Sequence, residues 1–436
     1  MADDPNRNRF IPFRKADIIT MCSDDPGLTD SEAKNFREFC RILDALFHFE
    51  FHRNLETLKN SYAPFNPDAD TRPLAEYQQQ EKEQLQKQLV AAMTAVLNAA
   101  NFEKITTKDL EQALAEESLF KIRLEVDFDD FEDVIFFRRG ESLKQETLVT
   151  LYGLRKKRFS FTNYDRVAVY IKFKEKQYFD DHDRKKLNFV PGSTIIKLFH
   201  NVPKADLEML FPNSKVRMKT IDKLIIGVPA AVSGIVVIVT KLGATLILIA
   251  SVLAFWMGLS KEEAQLNQKH LIALGAGLAT LGGFLFRQIS KFKNRKIKFM
   301  KALSDNLYFK NLDNNAGVFH HLIDAAEEEE VKEAVLAYFF LLKENRPMEK
   351  RELDDLIEKW FESRWDCRIN FEIDDALKKL ERLELVTREG NILQCHPLAE
   401  AKRQLDHIWD NFFTYNRRIT NESLRKTRRL LPWQIL

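Results

Sequence analysis

Apolar residues at helical spacing dominate the first hundred residues. Thr29 and Glu32 form a capping-box pair, and apolar positions three and four residues apart follow it up to about residue 61. The sequence PFNPD at 64–68 ends this pattern, and a second helical pattern covers about 73–100. The sequence therefore predicts an N-terminal helical region.

Alternating apolar and polar positions replace that spacing between residues 120 and 219. The segments DVIFFRR, RFSFTNY, VAVYIKFK and TIIKLFH are rich in Val, Ile, Phe and Tyr, which favour strands. The pattern predicts a mostly antiparallel sheet, and thus an α+β structure for the N-terminal half.

Two runs that are almost free of charge come next, at 224–259 and 271–286. The first contains a single charged residue, Lys241, and the second contains none. Because a bilayer core about 30 Å thick needs about 20 apolar helical residues, residues 220–290 are predicted to form a two-span transmembrane hairpin. The first run is long for one crossing and short for two, so its number of crossings stays open.

Cations flank the apolar block, and residues 291–301 contain no acid. By the positive-inside rule, the flanks predict a multi-pass protein of the inner membrane with both termini in the cytoplasm. The cations after the block also predict contact with anionic lipid head groups. This basic cluster comprises Lys291, Lys293, Arg295, Lys296 and Lys298.

Small residues recur every four positions in the second apolar run, at Gly275, Ala279 and Gly283. This spacing places them on one helix face, where small side chains let two helix backbones approach closely. The three residues predict a helix–helix contact, either within the chain or between copies. A protein partner or a homo-oligomer is accordingly expected.

The last hundred residues show helices followed by a hairpin. Helical patterns cover about 349–363 and 373–384, and LVTREGNILQ has the turn and apolar flanks of a β-hairpin. This order predicts a winged-helix-like, mainly helical domain with a small hairpin. The helix that would read DNA begins with acids, which repel phosphate, so no nucleic-acid partner is expected. The predicted division is helices at 1–119, sheet at 120–219, transmembrane block at 220–290, juxtamembrane helices at 291–345, winged-helix-like domain at 346–416 and basic tail at 417–436.

Composition and motifs narrow the chemistry. A net charge of +2 provides no overall field that would favour nucleic acid. Four scattered cysteines, none in a C-x-x-C pair, indicate neither a zinc site nor a disulfide framework. The sequence contains no phosphate-binding loop, no G-x-S-x-G and no H-E-x-x-H, and no cofactor is predicted.

Two groups of residues have metal-ligand spacing. His48 and His52 lie one helical turn apart in HFEFH, but the interleaved phenylalanines favour ordinary packing. His321, Asp324 and Glu328 share a helix face beside the acidic run at 327–330. The simpler interpretation of that run is a solvated helix face.

Several stretches resemble a known family: KLFHNVPKADLEMLFP before the apolar block, DNNAGVFHHLIDAAEEEEVKEAVLAYFFLL after it, NFEKITTKDLEQAL upstream, and the RFIPFRKADI start. Together they resemble the transmembrane-protein-143-like family, over nearly the whole chain. Its members are membrane proteins of unknown function, usually described with two spans. The resemblance implies a two-span topology and no functional residues.

A non-enzymatic, membrane-anchored scaffold or adaptor with large cytoplasmic domains is the function that these features favour. One alternative is an oligomeric transporter or channel subunit, against which the small number of spans and the lack of acids in the apolar runs count. A second alternative is a metal-dependent enzyme that uses the His, Asp and Glu residues of 320–330.

Overall fold

A computed structural model of the chain describes residues 8–106, 108–110, 113, 123–150, 155–182, 187–217, 250, 253–258 and 268–413. The chain divides into two compact units. The first contains 1–113, 129–204 and 310–436, and the second contains 114–128 and 205–309. The N-terminal helices, the sheet and the winged-helix-like region, which the sequence analysis separated, therefore belong to one unit.

A five-stranded antiparallel sheet lies in the first unit, with the order β1-β3-β4-β5-β7. The long β3–β4 hairpin is its main element, and the buried face of the sheet carries side chains such as Phe137, Ala168 and Leu198 into the core. The predicted mixture of helices and antiparallel sheet is confirmed. The strands are β1 (Glu103–Lys104), β3 (Phe131–Thr150), β4 (Arg155–Phe173), β5 (Thr194–Pro203) and β7 (Asn311–Asn314).

Helices cover the buried face of this sheet. The predicted capping box is present: the Glu32 backbone N–H donates to Thr29 Oγ1 at 3.3 Å, and the Thr29 N–H donates to Glu32 Oε2 at 2.9 Å. The apolar positions of the long second helix, such as Phe36 and Phe39, are buried. The helices of this part are α1 (Lys15–Ser23), α2 (Asp30–Tyr62), α3 (Gln79–Ala99) and the short α4 (Lys176–Asp181).

A central helix, α6 (Ala316–Glu344), organises the core of the first unit. Every position from 331 to 341 is buried. It packs against α1, α2 and α3 on one side and against the C-terminal helices on the other. Burial on all faces is typical of a core helix rather than of a surface helix.

The C-terminal region has the order of a winged helix, with α6 as its first helix. A three-stranded sheet of order β8-β10-β9 places the first short strand beside the hairpin. The segment 367–371 is not part of this sheet; its Ile369 bridges Asn8 instead. The elements are β8 (Met348–Glu349), α7 (Lys350–Trp365), α8 (Ile373–Arg382), β9 (Val386–Glu389), β10 (Ile392–Cys395) and α9 (Leu398–Asp410), which packs on α2.

The second unit contains the antiparallel pair β2 (Arg123–Glu125) and β6 (Lys215–Arg217), and the 43-residue helix α5 (Gln268–Lys310). The predicted two-span hairpin and inner-membrane localisation are contradicted, because among the described residues no helix is both long and apolar enough to cross a membrane. The apolar stretch 271–286 measures about 24 Å at 1.5 Å per residue, short of a bilayer core of about 30 Å, and α5 continues from it into the basic cluster. Of the other apolar run, 224–259, only residues 250 and 253–258 are described, and the rest lies outside the described residues.

Candidate functional site

The acidic run of α6 lies in the interior of the first unit. Within the run at 327–330, Glu329 is about 2% exposed and the other three acids are partly buried, and Lys332 and Glu333 on the next turn are also about 2% exposed. The interpretation of this run as a solvated helix face is therefore wrong. Buried charges are tolerated only when they are paired and hydrogen-bonded. Each carboxylate of the run accordingly has its own partner.

Lys379 of α8 pairs with Glu330 of the run and with Glu333 on the next turn. Its Nζ lies 2.6 Å from Glu333 Oε2 and 2.9 Å from Glu330 Oε2. The other oxygen of Glu333 accepts a hydrogen bond of 2.8 Å from Asn101 Nδ2, beyond the end of α3. This cluster therefore joins α6, α8 and the segment after α3.

The ionisation of this cluster is shifted by its burial. Burial raises the pKa of Glu333 to about 7, against the attraction of Lys379, and burial also raises the pKa of Glu330. Burial opposes the charge on Lys379, but its attraction to the two carboxylates outweighs this and raises the pKa of the ammonium. The cluster thus favours a charged lysine and one carboxyl that holds its proton to unusually high pH.

We expect this shift to appear in the pH dependence of stability. Glu333 has a folded-state pKa of about 7 against an ordinary value of 4.5, so within that window the folded chain holds a proton that the unfolded chain has released. The free energy of unfolding therefore falls as the pH rises through the window. Denaturant unfolding at several pH values measures the slope of the free energy of unfolding against pH. Glu333→Gln should reduce this slope by the equivalent of up to one bound proton. Glu389→Gln, at an exposed site, should leave the slope unchanged. Equal slopes for both variants would contradict the shift.

A second set of contacts fastens the N-terminal segment to α6. The Ile11 backbone N–H donates to Glu329 Oε2 at 3.0 Å. The Lys332 ammonium donates to the backbone oxygens of Ile11 at 2.8 Å and Phe13 at 3.1 Å, and to Glu329 Oε1 at 2.8 Å. These contacts hold residues 10–14 against the first half of α6.

A polar pocket of about 500 Å³ lies beneath residues 10–14. The first half of α6 and the end of the five-stranded sheet provide its other walls. We call it the arginine pocket, since two guanidinium groups of the sheet line it. Its charged and polar side chains include Arg139, Arg166, His321, Asp324, Glu328 and Lys332.

The predicted metal-ligand candidates of α6 all line this pocket. His321 Nε2 lies 3.3 Å from Asp313 Oδ2, and Glu328 accepts a 3.5 Å contact from the Lys15 backbone N–H. Asp324 is exposed. Over the described ranges, no three or more His, Cys, Asp or Glu side chains are grouped so that they could hold a metal ion. The three residues therefore share a wall without forming a ligand set.

The other histidine pair lies on the outer face of α2. His48 and His52 are exposed, whereas Phe47 and Phe51 are buried in the core. The Nδ1 atom of His48 lies 2.8 Å from Glu327 Oε2, which also pairs with Lys15. Packing of the phenylalanines in the core therefore explains the spacing of the two histidines, as the sequence favoured.

The sequence analysis missed Arg139 and Arg166. The Arg139 guanidinium lies 5.2 Å from the Phe10 ring centre and 5.1 Å from that of Phe102, and donates to the Ala100 backbone oxygen at 3.3 Å. Burial lowers the pKa of Arg139; the negative charge of Glu329 opposes this shift, and the positive charge of Arg166 adds to it. The only signal in the sequence is that each arginine occupies a strand position that the alternation of apolar and polar residues assigns to the apolar face.

Helix α8 has the position of a DNA-reading helix, but its side chains pack into the core of the first unit. Lys379 is buried in the cluster with α6, and Arg382 forms two hydrogen bonds of 2.6 and 2.9 Å with the Glu50 carboxylate of α2. Only Asp374 and Lys378 of this helix are exposed. Lys379 and Arg382 are therefore committed to carboxylates of the same unit, whereas Lys378 is exposed.

The small residues of α5 are exposed. An added Cβ at Gly275 or Gly283 would meet nothing within 4 Å, and Ala279 is also exposed. Their predicted helix–helix contact is thus not formed with the described parts of the chain, and it stays a prediction for another partner. In the basic cluster, Lys291, Lys293 and Lys298 are exposed, while the side chains of Arg295 and Lys296 lie outside the described residues.

Comparison with known proteins gives one family match. A family model described as "Protein of unknown function (DUF3754)" matches residues 164–317, which is less than half of the chain. The matched stretch runs from β4, and thus includes Arg166, to the start of α6. No solved structure matches the chain. The resemblance to the transmembrane-protein-143-like family stays a prediction.

Proposed function

We propose that this chain is a non-enzymatic adaptor that binds a protein partner along helix α5. The observation that carries the proposal is a stripe of exposed apolar and small residues. Steps of three and four residues place the stripe on one face of the helix. It comprises Ile272, Gly275, Ala279, Gly283 and Phe286, all of which are exposed.

The exposure of this stripe favours an interaction surface. Phe286 is 73% exposed and Ile272 is 65% exposed, and large apolar side chains grouped on a surface mark sites of association. The small residues between them leave room for the backbone of a second helix. A partner helix with its own apolar stripe fits this shape.

The charges of the same face specify the partner further. Lys293 and Lys301 continue the stripe about two and about four turns beyond Phe286, and both are exposed. The partner should therefore carry acidic residues where it passes these lysines. If the partner were a second copy of this chain with its helix parallel to α5, each of these lysines would instead lie beside the same lysine of the other copy. The transporter and metal-enzyme alternatives have no comparable support among the described residues.

Site-specific photo-crosslinking in cells tests this proposal on the full-length chain. A photoreactive phenylalanine analogue at Phe286 should give a discrete adduct with another protein, whereas the analogue at exposed Lys378 should not. Because the lysines attract the partner, combining Lys293→Glu with Lys301→Glu should reduce the adduct at least about fivefold.

Three outcomes would overturn the proposal. Adducts only between copies of this chain would assign the stripe to a homo-oligomer. Adducts only with lipid, supported by flotation with phosphatidylcholine vesicles that substitution of Phe286 abolishes, would exclude a protein partner. Adducts that are equally strong from Phe286 and Lys378 would show that the stripe has no special role.

A further inference from the structure

Two arginines lie directly opposite each other at the end of the buried sheet face. Arg139 of β3 and Arg166 of β4 are register partners, two positions beyond the apolar pair Phe137 and Ala168 on the same face. Side chains in such positions have Cβ atoms about 4.5–5.5 Å apart, and like charges there destabilise a sheet. Gly140 follows with a φ of 71°, and a Cβ there would meet Asp165 at 2.4 Å, so the turn of the strand at this point requires glycine.

The hydrogen-bonding capacity of the two guanidinium groups is largely unused. A guanidinium carries five N–H donors, and Arg139 uses one of them on the Ala100 backbone oxygen. Within the part of the chain that the structure describes, Arg166 has no hydrogen bond or ion pair. Both side chains line the arginine pocket.

Glu329, the buried carboxylate that lines the same pocket, is already engaged. Both oxygens of Glu329 are occupied, one by the Ile11 backbone N–H and the other by Lys332. Glu328 faces the Lys15 backbone N–H, and Asp324 on the next turn is exposed. The two arginines therefore stand side by side without a carboxylate paired to either guanidinium.

We propose that the arginine pocket binds a small molecule through an oxyanion, a phosphate or a carboxylate, held between Arg139 and Arg166. Planar guanidinium groups bind such oxyanions through paired N–H donors, and the anion removes the repulsion between the two cations. A volume of about 500 Å³ exceeds that of a bare ion and is typical of small-molecule sites. The Phe10 and Phe102 rings stacked on Arg139 give the ligand an apolar wall. This site is independent of the adaptor surface on α5.

Two probes with the same ring test the site on the full-length chain: phenyl phosphate and benzoate. Titration calorimetry and thermal unfolding should show saturable binding and a saturable rise in Tm for at least one probe. Arg166→Gln should weaken the binding at least about tenfold, while Arg351→Gln at an exposed site on α7 should leave it unchanged. The preferred probe identifies the oxyanion.

The ligand-free variant provides a second readout. Because Arg166→Gln removes a like charge from beside Arg139, its Tm without ligand should equal or exceed that of the unmodified chain, whereas loss of a structural arginine would lower it. If this variant does not fold, Arg166→Lys keeps the charge and loses the planar donor pair, and it should still bind more weakly. No saturable binding of either probe, an equal Tm rise from sodium chloride, or undiminished binding by both Arg166 variants would overturn the proposal.

Discussion

Replacement of Lys379 by methionine is expected to destabilise the folded chain by about 3–5 kcal/mol. The lysine is 6% exposed, and its Nζ lies within 3 Å of both Glu333 and Glu330. Methionine preserves most of the length of the side chain but removes the charge, so the buried Glu330 and Glu333 must either stay charged without their cation or take up a proton, and both cost free energy. Denaturant unfolding at neutral pH measures the loss.

The adjacent residue provides the control for this prediction. Lys378 is exposed, and Lys378→Met should change the free energy of unfolding by less than about 0.5 kcal/mol. Adding Glu333→Gln to Lys379→Met should recover part of the loss, since one buried negative charge is then removed. The loss should also shrink at lower pH, where the unpaired carboxyls take up protons. A loss below about 1 kcal/mol for Lys379→Met would contradict the ion cluster.

Local patterns were sufficient to predict the elements of the first unit. The capping box at Thr29, the alternation along β3 and β4, and the turn of the C-terminal hairpin depend on residues close in sequence, and the structure contains all three. Such signals determine local backbone conformation without information about the rest of the fold. They predicted the α+β character for the same reason.

The acidic run of α6 was misinterpreted because its partners are distant in sequence. Glu333 meets Lys379 across 46 residues, and Glu329 meets the Ile11 backbone across 318. Local composition predicts solvent around four consecutive acids. Burial becomes tolerable only when each carboxylate has a partner, and only the tertiary fold provides these partners.

The arginine pocket depends on strand register in the same way. Arg139 and Arg166 become neighbours only once β3 and β4 are aligned residue by residue, and a shift of one position would send the side chains to opposite faces. Within the residues that the structure describes, the transmembrane prediction is contradicted for a different reason. Apolar composition indicated α5 correctly as a helix, but the apolar part of that helix is shorter than a bilayer core, and the helix continues into charged residues.

The burial of α6 predicts a second large effect, at Phe339. This side chain is fully buried, and its ring packs edge-on against Phe36 of α2 at 5.6 Å and Phe340 at 5.2 Å between ring centres. Phe339→Ala should cost about 3–5 kcal/mol, because it loses both the buried ring and the aromatic contacts and leaves a cavity between two long helices that cannot close it easily.

A phenylalanine of the same unit serves as the control for the cavity. Phe413 is 60% exposed, and Phe413→Ala should cost less than about 1 kcal/mol in the same denaturant series. Phe339→Leu keeps much of the volume and should recover more than half of the loss, since a smaller cavity remains. Equal costs for Phe339→Ala and Phe413→Ala would show that α6 does not form the centre of the core. A large cost for Phe339→Ala with a small cost for Phe413→Ala would show that the packing between α2 and α6 contributes much of the stability of the first unit.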